Sequence, residues 1–308
     1  MVLSYHRVLP HDSPAIRTEQ PTMYVSPNTL DLHLSEIKRH FELVHLDDWL
    51  RRARTGVSLP RLACALTFDD GWRDNFEFAL PVLRKHGVPA MIFLVSSYVG
   101  SEHRFWPNRL MELLRKAFIR PEMIVFPRAL RSAVESTLAE AKMRGELRPE
   151  DIDRVVKAAK NIDETTIRDL ISDAEKDSAG VEATRDLLSA EEVERMAETG
   201  LVRFGCHTAT HYRFSGRASP EDLDREIVSS KKRVQDICGQ SIDVFCYPNG
   251  ETSLDAVNLV RRHYLGAVTT QKGWHAASGD PHLVRRIGLH EDMSNSRESF
   301  LARVSAWL

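Results

Sequence analysis

Apolar residues along this chain fall into two alternating patterns. Short unbroken runs form the first: Val2-Leu3-Ser4-Tyr5, then Leu62-Ala63-Cys64-Ala65-Leu66, then Pro89-Ala90-Met91-Ile92-Phe93-Leu94-Val95. Runs of that length predict strands buried on both faces. Between them the spacing changes to three and four. Leu30, Leu34, Ile37 and Phe41 follow a Ser26-Pro27 start, and Phe76, Ala79, Leu80 and Leu83 share one face over residues 75–86 before Gly87. Both stretches read as amphipathic helices, the second stopped by its glycine. A short strand over 41–46 and a helix opening at Leu46 keep the rhythm, while 9–27 reads as a Pro-rich polar loop. Strand and helix in alternation predict parallel pairing and an α/β architecture.

From about residue 105 to 188 the pattern changes. Charged helical segments dominate over 108–117, 129–143, 149–159 and 164–177, and only Met123-Ile124-Val125-Phe126 reads as a strand. We read 105–188 as a mainly helical insertion that covers or flanks the site, its charges facing solvent. Ser189 and Glu192 then form a capping box that opens the next helix. Strands over 201–205, 242–247, 265–269 and 283–289 follow, with helices over 220–238, 254–263 and 296–308. The alternation resumes, so residues 1–308 read as one interrupted domain.

Composition narrows the function. The chain has 308 residues, 42% of them apolar, and a formal net charge of −2, which suits a globular protein and gives no reason to expect nucleic acid. No apolar stretch is long enough to cross a membrane. The four cysteines, Cys64, Cys206, Cys238 and Cys246, form no CxxC pair and read as buried thiols in a reducing compartment. With no basic-then-apolar leader at Met1, a cytoplasmic location is expected, although a strand beginning at Val2 leaves room for an upstream segment.

In parallel α/β folds, functional groups collect at the C-terminal ends of strands. Here those ends carry Tyr5-His6-Arg7, Asp69-Asp70-Gly71, Cys206-His207, Tyr247-Pro248-Asn249-Gly250 and His290-Glu291-Asp292. Asp69 and Asp70 alone could be a turn or a helix cap. His207 and His211 can face one cation if the backbone makes a helical turn. That pair alone is weak evidence in a chain of 13 histidines. Two imidazoles with a carboxylate from another strand make a stronger set, leaving zinc open positions for water and substrate.

The stretches Thr67-Phe68-Asp69-Asp70-Gly71 and His207-Thr208-Ala209-Thr210-His211 resemble the first two motifs of the polysaccharide deacetylase family, carbohydrate esterase family four. Tyr247-Pro248-Asn249-Gly250 is similar to its third motif, Leu289-His290 to its last, and Leu3-Ser4-Tyr5-His6-Arg7-Val8 to the start of many bacterial members. The resemblance covers residues 1–100 and 190–308. It implies a distorted parallel (β/α)7 barrel and a metal-dependent N-deacetylase of an acetylated amino sugar, in a bacterial glycan or its precursor. Asp69 would be the general base; Asp70, His207 and His211 would hold a divalent metal, usually Zn2+. A backbone N–H near Tyr247 or Asn249 would bind the oxyanion, and His290 would be the general acid.

This chain departs from the family's pattern in two places. The third motif's usual Arg is absent at Phe245-Cys246-Tyr247, so Arg285 or, by preference, Arg286 would orient Asp69. The carboxylate that orients the acid has no clear counterpart, with Asp280 and Asp292 as candidates. His6 is a candidate substrate contact beside a strand-end structural role, and Trp106 and Trp274 are candidate sugar platforms or core residues. Rival readings are hydrolysis of a non-sugar amide, a silent glycan-binding protein, and an insertion that mediates a homo-oligomer or docks a biosynthetic partner.

Overall fold

The computed structural model describes residues 1–58, 60, 62–162, 164–176, 185–216, 218–276 and 278–305. Seven parallel strands close into a ring: β1 Val2–Tyr5, β2 Ala63–Phe68, β3 Ala90–Leu94, β4 Val202–Cys206, β5 Val244–Cys246, β6 Gly266–Lys272 and β7 Val284–Gly288. β1 seals it, pairing with β7 through Leu3 and Ile287 and with β2 from Val2 opposite Ala65 to Tyr5 opposite Phe68. The parallel α/β architecture expected from the alternation, and the distorted (β/α)7 barrel that the resemblance implied, are therefore present. The strand expected over 41–46 shrinks to Glu42–Leu43 and pairs only with the first two residues of β2.

Alternation along the strands sorts side chains between two cores. Val2, Ala65, Phe93, Val244, Val268 and Val284 fill the barrel, which the helix Leu46–Thr55 closes with Leu46, Trp49 and Leu50. The opposite faces, including Leu3, Leu66, Ile92, Phe204 and Phe245, pack against the outer helices. Gly205 faces inward because a Cβ there would lie 2.4 Å from the Phe93 ring.

Two helices read as continuous begin or break differently. Residues 75–86 open with a π-helical turn, Asn75–Ala79, before the α-helix Leu80–His86. Within 220–238 a second π turn, Asp224–Ser229, stands between Pro220–Leu223 and Ser230–Cys238. The capping box at Ser189 and Glu192 is present, with both reciprocal bonds.

The chain divides into two compact units. The barrel unit spans Met1–Pro10, Thr22–Glu102 and Arg185–Leu308; the second spans His11–Pro21 and His103–Thr184. The second unit packs helices Trp106–Ile119, Arg128–Arg144, Pro149–Ala159 and Glu164–Lys176 around Leu110, Leu114, Val134, Val156, Ile167 and Ile171. It includes part of the loop expected over 9–27, held where Asn108 Nδ2 donates to Thr18 O at 2.8 Å and Glu19 Oε2 at 2.9 Å. The strand expected at 123–126 does not form. Pro121–Met123 is a 3-10 turn, and Ile124 and Phe126 are buried in the helical core without a strand partner. Ile119, Val125 and Met143 are exposed apolar residues of this unit. Residue 177 and residues 306–308, expected to end two helices, lie outside the described residues.

Candidate active site

Strand alternation decides which candidate residues meet. Counting inward positions from Val2 on β1, Ala65 on β2, Gly205 on β4 and Val284 on β7 puts His6, Asp69, His207 and Arg286 on the inner face. Arg286 is buried and forks onto Asp69, with Nη1 and Nη2 each 2.7 Å from a carboxylate oxygen. Its remaining donors go to Thr269 O at 2.9 Å, Thr67 Oγ1 at 3.0 Å and Cys246 Sγ at 3.3 Å. Arg285, one position away, is exposed. Burial alone would raise the Asp69 pKa; the Arg286 guanidinium outweighs it and holds the carboxyl below its ordinary value. Burial pushes the neighbouring Cys246 thiol up, so it stays a neutral acceptor beside the fork.

Asp70 would follow Asp69 to the opposite face of a regular strand. Instead its backbone turns left-handed, φ 75°, as does Gly71, and the carboxylate reaches the same mouth. Asp70 Oδ1 lies 3.3 Å from His207 Nε2 and 3.5 Å from His211 Nε2. The second oxygen accepts from Trp72 Nε1 at 3.0 Å. Arg7 stacks over the Trp72 ring at 4.0 Å and donates to Asp74 at 2.8 Å. His207 Nδ1 donates to Cys246 O at 2.8 Å, which turns Nε2 toward Asp70. One ligand atom from each of Asp70, His207 and His211 falls within 4.8 Å of the others. Two imidazoles, one already oriented by its other nitrogen, and one carboxylate suit a divalent cation with open positions.

The two histidines do not share a helical turn. Residues 208–211 form a loop with Thr208 at φ 63° and His211 at φ 59°, and such conformations cost about 1–3 kcal/mol each in non-glycine residues. Side chains and strand ends fix it: Tyr212 N–H donates to Thr208 Oγ1 at 2.9 Å, while Ser96 and Ser97 donate their N–H groups to the 208 and 209 carbonyls at 3.0 Å.

The other candidates separate. His6 Nε2 is 3.9 Å from Asp69 Oδ2. His290 follows β7, with its Nδ1 2.6 Å from Asp292 Oδ1. Of the two carboxylates considered for orienting His290, only Asp292 touches it; Asp280 instead pairs with Arg261 and His282. Tyr247 points outward by the parity of β5. Its ring packs with Phe214 and Phe245, and its N–H is engaged with Val268 O at 3.2 Å. Asn249 is exposed in a left-handed turn, φ 55°, and Gly250 and Glu251 take the turn's internal bonds. Trp106 lies in the helical unit's core; Trp274 packs beside Phe41 and donates to Val304 O at 2.8 Å. Trp106 is buried there, while Trp274 keeps 44% of its surface exposed.

The polysaccharide deacetylase family matches residues 57–268, more than half of the chain and the stretch carrying Asp69, Asp70, His207, His211 and Asn249. The chain belongs to this family. A Bacillus subtilis (strain 168) protein, YxkH, named for polysaccharide deacetylation, is 32% identical over 114 residues, covering 32% of this chain and 41% of that protein. Among solved structures, the Streptococcus pyogenes deacetylase PplD in complex with acetate superposes with a TM-score of 0.63 at 17% identity, over 98% of this chain and 96% of that one. A de-N-acetylase from Aggregatibacter actinomycetemcomitans gives 0.60 at 16% identity over 98% of each chain. IcaB from Ammonifex degensii gives 0.59 at 17%, over 99% and 97%. At such identities the superpositions speak for the shared fold. Thr67, Cys246 and Trp72 were missed by sequence reasoning because each reads as an ordinary strand or turn residue.

Proposed function

We propose that this family member is a metal-dependent hydrolase that removes an N-acetyl group from an amino sugar of a bacterial glycan or its precursor. The observation that carries the reading is one barrel mouth holding a charge-locked carboxylate, Asp69, beside the Asp70, His207 and His211 cluster. A bound divalent cation, Zn2+ by preference, would supply Lewis acidity, lowering the pKa of water and polarising the acetyl carbonyl. Asp70, His207 and His211 would hold it.

Asp69 accepts the proton of the attacking water. Because Arg286 keeps Asp69 a weak base, transfer from ordinary water is far uphill, and the cation's acidifying effect matches that weakness. The Asn249 N–H donates to the oxygen that gains charge. As the C–N bond breaks and acetate leaves, an imidazole protonates the amine. His290, with Asp292 behind it, is our assignment; His6, 3.9 Å from Asp69, is the second reading.

The test is metal analysis with acetate release from N-acetylglucosamine oligomers, run beside Asp69→Asn, His290→Ala and His6→Ala. Asp69→Asn should keep the metal and lose at least about 100-fold in kcat. Full activity in that variant refutes the base assignment, and a wild-type protein that binds no divalent metal refutes the site. The histidine variant that loses the basic limb of the pH–rate profile identifies the acid.

A further inference from the structure

We propose that Glu226 is the positioning residue that holds His211 in ligating geometry, acting through the loop between the two histidines; this rests on the reading of Asp70, His207 and His211 as a metal site. The Glu226 carboxylate is fully buried in the π turn Asp224–Ser229. Its Oε2 accepts both the Ala209 N–H and the Thr210 N–H at 2.9 Å. Its Oε1 accepts from Thr210 Oγ1 at 3.0 Å and from Arg225 Nε at 3.1 Å. Apart from Arg225, its neighbour in sequence, these partners all lie between His207 and His211.

A buried carboxylate is costly, so the number and direction of its donors matter. Two successive N–H groups converging on one oxygen form an anion-holding turn, and the anion is supplied by the protein itself. Closing on Glu226 turns these amides away from the strand-end carbonyls while the carbonyls of 208, 209 and 210 accept from Ser96, Ser97 and Tyr98. The loop is thus gripped on both sides, and His211 leaves it left-handed with Nε2 toward Asp70. The π turn contributes the extra residue that widens the helix where Glu226 enters. Its other end is anchored: Ser230 Oγ donates to the Glu226 carbonyl at 2.6 Å and lies 3.1 Å from Cys206 Sγ at the tip of β4.

Glu226 touches no ligand atom, so its contribution should be read in affinity. Glu226→Gln keeps the size but turns one acceptor into a donor facing donors. Zn2+ affinity of the apo chain is measured by competition with a chromophoric chelator, beside Thr210→Val and Val134→Ala. Loss of an orienting partner typically weakens metal binding about 10- to 100-fold, and that is expected for Glu226→Gln. Thr210→Val, which removes one hydroxyl donor and leaves the buried charge in place, should weaken binding about 3- to 10-fold and stands in if Glu226→Gln fails to fold. Val134→Ala, a cavity in the separate core of the helical unit, should lower that unit's stability and leave affinity unchanged. At saturating Zn2+ the Glu226→Gln enzyme should recover its KM and most of its kcat. A folded Glu226→Gln protein binding Zn2+ within about fivefold of wild type overturns the proposal. If it does not fold, Thr210→Val binding within about twofold does so. Affinity lost equally in Val134→Ala also overturns it. A wild-type protein without Zn2+ affinity would instead sink the metal-site reading beneath it.

Discussion

At the scale of single residues, the Asp69–Arg286 pair gives the clearest energetic statement. Both partners are buried, the fork is bidentate at 2.7 Å, and Thr67, Thr269 and Cys246 take the remaining guanidinium donors. Removing one member of such a pair strands the other charge, typically at about 3–5 kcal/mol. Arg286→Met should therefore lose about that much stability in urea titration, raise the Asp69 pKa and abolish turnover. The paired variant Asp69→Leu with Arg286→Met should regain most of the stability and none of the activity, because an apolar replacement leaves no orphan charge. A double variant as unstable as Arg286→Met alone would mean that the arginine's other contacts, not the carboxylate, hold the site. Arg285→Ala, on the exposed side of the same strand, should change stability by no more than about 0.5 kcal/mol.

Elements carry the next level of information, and they explain what could be read in advance. The strand–helix rhythm was legible because both faces of Ala63–Phe68 and Ala90–Leu94 are buried, which leaves unbroken apolar runs such as 62–66 and 89–95. The facing of individual side chains was not. On β7, Val284 shares a face with Arg286 and Ile287 shares the other with Arg285, so an apolar and a charged residue stand on both sides and nothing local chooses. Tyr247 and Asn249, two residues apart, would share a face on a regular strand, and the left-handed turn at Asn249 separates them. Glu226 was not singled out within the helix expected over 220–238, because a π turn shifts the helical phase without altering the composition. Ile124 and Phe126 are buried but pair with no strand among the described residues, so burial without a ladder imitated a strand. Close packing between strands also sets the site from below. A Cβ at Gly205 would meet the Phe93 ring at 2.4 Å and the Val244 carbonyl oxygen at 2.9 Å, two positions before His207. Gly205→Ala should cost about 1–3 kcal/mol by overpacking and weaken metal binding together with stability. Phe93→Leu added to it should return part of both losses in thermal unfolding and chelator competition; a double variant no better than Gly205→Ala would assign the clash to the backbone oxygen.

Over the whole barrel unit, the first and last segments of the chain are tied by a single buried imidazole. His33, on the helix Pro27–Ile37, lies 3.2 Å from the Tyr5 hydroxyl on β1 and 2.6 Å from the Ser294 carbonyl near the C-terminus, and stacks on Phe300 at 4.4 Å. Glu291 reinforces the link by accepting from the Ser26 N–H at 2.6 Å and Thr29 Oγ1 at 2.9 Å, at the start of that same helix. A neutral ring satisfies His33 completely: Nε2–H donates to the carbonyl and Nδ1 accepts from the hydroxyl. A second proton would face Tyr5 in a buried apolar setting, and burial lowers the His33 pKa to about 4. In the unfolded chain the same imidazole titrates near 6.5, as unperturbed histidines do at about that value. Between those limits the unfolded state binds the proton and the folded state does not, so folding stability is complete above about pH 6.5 and falls as pH drops toward 4. The full difference is about 3 kcal/mol. Other groups titrate over the same range, so the informative quantity is the difference between wild type and His33→Gln, whose amide offers one donor and one acceptor and carries no titration. Urea midpoints between pH 4 and 8 should show the variant less stable near neutrality and the gap narrowing steadily below pH 6.5. Parallel curves would mean that His33 takes up its proton as readily in the folded barrel as in the unfolded chain, which its two partners leave no room for.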